Sequence, residues 1–229
     1  MTRRAVIISD SLQSENRSVA EAWDKFLRSN LGGAWSHQEI MRSSNGEREG
    51  ILAEIHQAKE VNYSLLIFVS RGEFRKADLP WPEAHILLND GSVLSESEIN
   101  PGTPRCTLIF DWSVQGDDNV AVGNDCSDER SDESRTVFER AMETAEAGLV
   151  RICASVSGEG SIKGPSFSSQ LFSVAQRWAE TNDGALSLQK AVSLVNATAN
   201  KLHPALKTEY QGGRRLHHFP FAVRILPNG

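Results

Sequence analysis

With 229 residues, the chain is long enough to bury a sizeable core as a single domain spanning residues 1–229. Its net charge of −6 argues against a nucleic-acid partner held by a basic surface, and no apolar run reaches the ~20 residues that a membrane-spanning helix needs. The three cysteines and six histidines lack metal-ligand spacing, so we expect no metal site and no cofactor. The first apolar run is too short for a signal peptide, which favours a cytoplasmic location.

The predicted elements alternate between strands and helices from the start of the chain. Residues 4–9 form a short apolar strand, and residues 18–30 carry apolar side chains at helical spacing. A weak strand over residues 34–41 and an amphipathic helix over residues 48–60 follow. The near-continuous apolar run at residues 64–70 is typical of a strand that is covered on both faces.

A hairpin and a long polar segment interrupt this alternation. Asn89-Asp90-Gly91 lies between two short apolar pieces, a pattern that predicts a tight turn between two strands. A second buried strand covers residues 107–112. Residues 115–135 are strongly acidic and low in hydrophobicity, so we predict a flexible surface loop there.

The last part of the chain returns to the alternating pattern. The predicted helices are residues 136–147, 167–180 and 186–202, and the predicted strands are residues 148–157 and 218–226. Pro220 lacks the N–H group that a central strand would donate, so the last strand is predicted to lie at a sheet edge. Strands separated by helices indicate an α/β domain with a mostly parallel, doubly wound sheet.

Two strand ends carry a resemblance to a known family. Residues 67–73 read IFVSRGE, and residues 109–116 read IFDWSVQG. They resemble the catalytic strands of caspase-like peptidases of the bacterial caspase and metacaspase type. In that family a Ser-Gly-His-Gly pattern presents the catalytic histidine, and an Asp-x-Cys-x-Ser-Gly pattern presents the nucleophilic cysteine. The resemblance implies a caspase-like, mostly parallel sheet of six strands flanked by helices.

Both catalytic positions depart from the family pattern. Under the resemblance, Arg71 stands in place of the histidine and Ser113 in place of the cysteine. A serine hydroxyl needs a nearby base, and an arginine side chain stays protonated at physiological pH and cannot be that base. Loss of such a pair costs roughly 10³- to 10⁶-fold in rate. We therefore expect no catalytic residue here, and we interpret Arg71 and Ser113 as degenerate positions.

Four acidic residues are the candidate binding residues. Asp10 and Asp111 follow or end predicted strands, and Asp117 and Asp118 come shortly after the second of them. The resemblance to metacaspases implies that acids at such places line a pocket for a basic side chain. The alternative is that strand-end acids cap turns. Arg71 has two similar interpretations, namely binding a carboxylate or phosphate, or pairing with a neighbouring acid.

These observations predict a catalytically inactive caspase-like domain, a pseudopeptidase that acts as a binding or regulatory module. The resemblance implies a role in a bacterial stress, cell-death or defence system. The expected partner is a peptide or protein, which includes another caspase-like chain or a second copy held through the closing strand, residues 218–226. One alternative is an active hydrolase that uses Ser113 or a displaced cysteine. Another is a flavodoxin-like signalling or nucleotide-binding domain.

Overall fold

The computed structural model describes residues 1–9, 14–44, 46–75, 83–112, 130–156, 166–202, 206–211 and 218–225. In chain order, the strands are β1 (Arg3–Ser9), β2 (Ile40–Ser44), β3 (Tyr63–Val69), β4 (Gly72–Arg75), β5 (Glu83–Leu87), β6 (Val93–Ser95), β7 (Arg105–Asp111), β8 (Gly148–Val156), β9 (Gly184–Ser187), β10 (Leu206–Gln211) and β11 (Pro220–Arg224). The α-helices are α1 (Ser14–Arg28), α2 (Arg48–Gln57), α3 (Glu96–Ile99), α4 (Ser131–Thr144), α5 (Phe167–Thr181) and α6 (Leu188–Leu202).

The main sheet has six strands in the order β10-β8-β7-β3-β1-β2. Five of them run parallel, and β10 pairs antiparallel with β8 at one edge. The central strands are apolar along their length because both of their faces are covered. In β1, for example, Ala5 and Ile7 enter one core and Val6 and Ile8 enter the other. The predicted α/β fold with a mostly parallel six-stranded sheet is confirmed.

Two hydrophobic layers cover the faces of the main sheet. On one face, apolar side chains of α1, α4, α5 and α6 pack together with those of β9 and β11. On the other face, α2 and α3 pack together with a small antiparallel sheet of order β4-β5-β6. The turn between β5 and β6 contains Asn89-Asp90-Gly91, and Gly91 has a φ of 83°, a conformation that favours glycine. The predicted hairpin is therefore confirmed.

The closing strand is an edge strand, as Pro220 predicted, but it belongs to a separate sheet. β11 pairs antiparallel with β9 in a two-stranded sheet and does not join the main sheet. The physical reason is that the apolar side chains of Phe219, Phe221 and Val223 are removed from water by packing in the layer formed by helices α4, α5 and α6. The main sheet ends instead at β10 and β2, and β10 was not predicted from the sequence.

Helix α4 begins earlier than predicted. It starts at Ser131, inside the acidic segment 115–135, so the last five residues of that predicted loop are helical. Asp132 and Glu133 lie in the first turn of α4, where carboxylates interact favourably with the helix dipole. Residues 113–129 lie outside the described residues. In the described part of the chain, every helix is too short or too polar to cross a bilayer.

Candidate functional site

The carboxyl ends of four parallel strands meet at one edge of the main sheet. Their registers place Ser9 beside Val69, Val69 beside Asp111, and Asp111 beside Ala154. Ligands of open α/β sheets bind outside this edge, which makes it the candidate site. Of the residues that the sequence singled out, Arg71 and Asp111 are described here, whereas Asp10, Ser113, Asp117 and Asp118 lie outside the described residues.

The carboxylate of Asp111 accepts hydrogen bonds from the first turn of helix α5. Asp111 is 0% exposed, and its Oδ2 accepts hydrogen bonds from the backbone N of Ser168 at 2.9 Å and from Ser168 Oγ at 2.5 Å. Ser168 lies in the first turn of α5, where unpaired N–H groups and the helix dipole favour a negative charge. This geometry gives Asp111 a role in joining β7 to α5, and binding of a ligand by Asp111 stays a prediction.

A third buried residue extends this arrangement into helix α1. The indole Nε1 of Trp23 donates a hydrogen bond of 2.8 Å to Ser168 Oγ, and both residues are 0% exposed. The hydroxyl of Ser168 therefore accepts from Trp23 and donates to Asp111. Sequence reasoning placed Trp23 on the apolar face of a helix and did not select Ser168 at all. No sequence signal pairs Asp111 with a serine 57 residues later in the chain.

Trp112 extends β7 by one residue and covers a glycine. Its backbone N donates to Ala154 O at 3.0 Å, and its ring lies 5.7 Å from that of Phe110. A Cβ added to Gly72 would lie only 2.4–2.7 Å from indole atoms of Trp112. The absence of a side chain at Gly72 therefore lets the Trp112 indole lie against the backbone of β4, directly after Arg71.

Arg71 immediately precedes Gly72 in the chain. It follows the end of β3, its side chain is exposed, and its backbone O accepts a hydrogen bond of 3.0 Å from Leu87 N in β5. Nearby on β4, Glu73 forms a surface ion pair of 2.6 Å with Arg75. The interpretation of Arg71 as a degenerate catalytic position stays a prediction.

The two described cysteines are not placed for nucleophilic attack at this edge. Cys106 lies near the start of β7, at the opposite end of the strand from Asp111, and burial raises the pKa of its thiol to about 12. Cys153 is buried, and its Sγ accepts a hydrogen bond of 3.0 Å from Arg151 Nε. A nucleophilic thiol must ionise and reach its substrate. The raised pKa of Cys106 opposes the first requirement and the burial of Cys153 opposes the second, so neither cysteine favours the displaced-cysteine alternative.

No family model and no curated protein matches the sequence, but solved structures match its fold. The initiator caspase Dronc of Drosophila superposes with a TM-score of 0.54 at 11% identity, over 95% of this chain and 80% of that chain. The fold is caspase-like. Protein GSU0716 from Geobacter sulfurreducens also superposes with a TM-score of 0.54 at 11% identity, over 96% of this chain and 99% of that chain. The caspase-like fold that the resemblance implied is thereby confirmed.

Proposed function

We propose that this caspase-like chain is catalytically inactive and binds a peptide or protein partner at the carboxyl edge of its main sheet. The observation that carries the proposal is the exposed Arg71 at the end of β3. In a peptidase of this fold the same place would need a proton acceptor, which an arginine side chain cannot be. Without a base, a serine at position 113 would not be activated.

The chemistry of the same edge suits recognition. Arg71 is exposed and carries a planar guanidinium group, a type of group that binds carboxylates in a bidentate manner, and the indole of Trp112 lies against the next residue, Gly72. The carboxylate of Asp111 is buried and accepts hydrogen bonds from Ser168 in the first turn of α5. A role of this module in bacterial stress, cell death or defence rests on the family resemblance.

A second caspase-like chain would pair with a different strand from the closing strand that the sequence predicted for this contact. Since β11 is covered and paired with β9, the pairing of two chains through the main sheet requires β10 or β2. We propose β10, because among the described residues it pairs only with β8 and lies at one end of the main sheet, where a second copy could continue that sheet. A dimer mass by light scattering supports this pairing, and a monomer mass at high concentration contradicts it.

Binding at this edge is tested with a peptide library and a matched pair of charge reversals. We expect immobilised 12-residue peptides to be selected by the native chain, and their affinity to fall at least about tenfold in Arg71→Glu, since a close charge pair of about 1.4 kcal/mol or more is lost. Arg75→Glu reverses an exposed arginine four residues away and should change the affinity by less than about twofold.

Fluorescence polarisation of the selected peptides measures both affinities. Failure to select any peptide contradicts the proposed binding function. Equal losses in the two variants would instead show that binding depends on general charge and not on Arg71.

A further inference from the structure

A buried chain of hydrogen bonds connects helix α1, helix α5 and the end of β7. Trp23 donates to Ser168, and Ser168 donates to Asp111 through both its hydroxyl and its backbone N. All three residues are 0% exposed. Trp23 itself is held by aromatic neighbours, with its ring centroid 4.8 Å from that of Phe172 and 6.2 Å from that of Phe221.

This series of hydrogen bonds fixes the position of the Asp111 side chain. Hydrogen bonds to a carboxylate are short, directional and about twice as strong as neutral ones. Burial strengthens them further, because a shift that breaks one leaves a polar group without water as a substitute. The Asp111 carboxylate therefore has a single favourable position relative to the first turn of α5.

The position of Asp111 in turn determines that of Trp112. The two residues are adjacent in the chain, and their side chains point to opposite faces of the sheet, as neighbouring strand residues do. Asp111 thus faces α5, while Trp112 packs against Phe110 and Gly72 on the other face. A backbone shift at residue 111 moves the indole of Trp112 over Gly72.

We propose that Ser168 is a positioning residue of the candidate site. Through Asp111 it sets where the Trp112 indole lies over Gly72, next to Arg71. A change in the packing of α1 or α5 is then expected to alter the position of the Trp112 indole. Coupling between two sites is reciprocal, so displacement of Trp112 should also alter the surroundings of Trp23. The importance of this positioning for recognition rests on the proposed function, whereas the coupling itself does not.

The coupling is measured by 19F NMR of the full chain labelled with 5-fluorotryptophan. The chain has five tryptophans, and single Trp→Phe variants assign their resonances. We expect Ser168→Ala to shift the Trp112 resonance by more than its linewidth, together with that of Trp23. Ser173→Ala, an exposed serine on the same helix, should leave both resonances in place, and Trp35 provides an internal reference.

The coupling from Trp112 to Trp23 is tested by substitution of two glycines. Gly72→Ala forces the indole of Trp112 to move, because the new Cβ would overlap it, whereas a Cβ at Gly50 meets nothing within 4 Å. We expect Gly72→Ala, and not Gly50→Ala, to shift the Trp23 resonance across the sheet.

Two results overturn the proposal. One is a Trp112 resonance that stays within its linewidth in Ser168→Ala while that of Trp23 moves, and the other is a Trp23 resonance that is unmoved in Gly72→Ala. If Ser168→Ala does not fold, Trp23→Phe removes the indole N–H that donates to Ser168 Oγ while keeping an aromatic ring, and it should also shift the Trp112 resonance. The NMR experiments use no ligand. A failure to bind peptides would therefore contradict the proposed function without contradicting the coupling.

Discussion

Replacement of Asp111 by alanine is expected to lower the free energy of unfolding by about 3 kcal/mol, because it removes a buried charged acceptor and leaves its donors without a partner. The backbone N and Oγ of Ser168 would both lose their acceptor in a region that water does not reach. For a chain of this length, that loss corresponds to a fall in the melting temperature of roughly 6–12 °C. Denaturant titration and calorimetry measure the two quantities.

Two controls separate this effect from the loss of any carboxylate. Asp111→Asn keeps an oxygen acceptor without the charge and should cost about 1 kcal/mol. Glu60→Ala removes an exposed carboxylate and should stay within about 0.5 kcal/mol of the native chain. A loss below about 1 kcal/mol in Asp111→Ala would contradict the role given to this contact.

The second large effect is expected at the opposite end of the main sheet, where Arg3 is buried. Its side chain is 0% exposed, and its Nη2 donates to Gly33 O at 2.9 Å and to Ala34 O at 3.0 Å. Its guanidinium carbon lies 4.4 Å from the ring centroid of Trp35, and its Nε pairs with Glu39 at 3.2 Å. Burial lowers the pKa of Arg3, and the nearby Glu39 carboxylate opposes that effect.

Arg3→Met should lower the free energy of unfolding by about 3–5 kcal/mol, because it leaves the carbonyl groups of Gly33 and Ala34 without their buried donor and removes one of the two arginines that pair with Glu39. Arg135 continues to pair with Glu39, so the measured loss reflects mainly the contacts of Arg3 itself. Arg28→Met is the matched control, since the Arg28 side chain is more than a third exposed and pairs with Asp24 one helical turn away, so its loss should cost no more than about 0.5 kcal/mol. Equal effects of the two substitutions in urea titration would rule out the structural role of Arg3.

Most of the main sheet was predictable because its strands and helices carry strong periodic signals. The apolar runs that became β1, β3 and β7 contain few residues of any other kind, since both of their faces are buried. The helical spacing of Val19, Trp23 and Phe26 likewise predicted α1. Such signals are local, so they can be seen without knowledge of the fold.

The elements that were missed depend on distant partners. The second half of β9, residues 186–187, was predicted as the start of the following helix, and this segment forms a strand because β11 pairs with it. β10 is similarly defined by its pairing with β8. The sequence LKTEYQ does alternate between apolar or β-favouring residues and charged or amide residues, a pattern that could have indicated this strand.

At the candidate site, the proximity of two strand ends could be predicted, but the contacts of their side chains could not. The ends of β3 and β7 could be placed together from the order of the elements, because parallel strands share their carboxyl edge. The burial of Asp111 could not be predicted, since it depends on a serine at the start of α5. The buried contacts of Arg3 were also not predicted, because they involve residues from three separated parts of the chain.

The most direct test of the central claim is a peptidase assay on the purified chain. Fluorogenic peptides with Arg, Lys or Asp before the scissile bond are incubated with the native chain and with Ser113→Ala, in the presence and absence of calcium. We predict no hydrolysis by the native chain above that of Ser113→Ala, because Arg71 cannot act as a base. Hydrolysis by the native chain that disappears in an equally folded Ser113→Ala variant would contradict the account and identify an active peptidase.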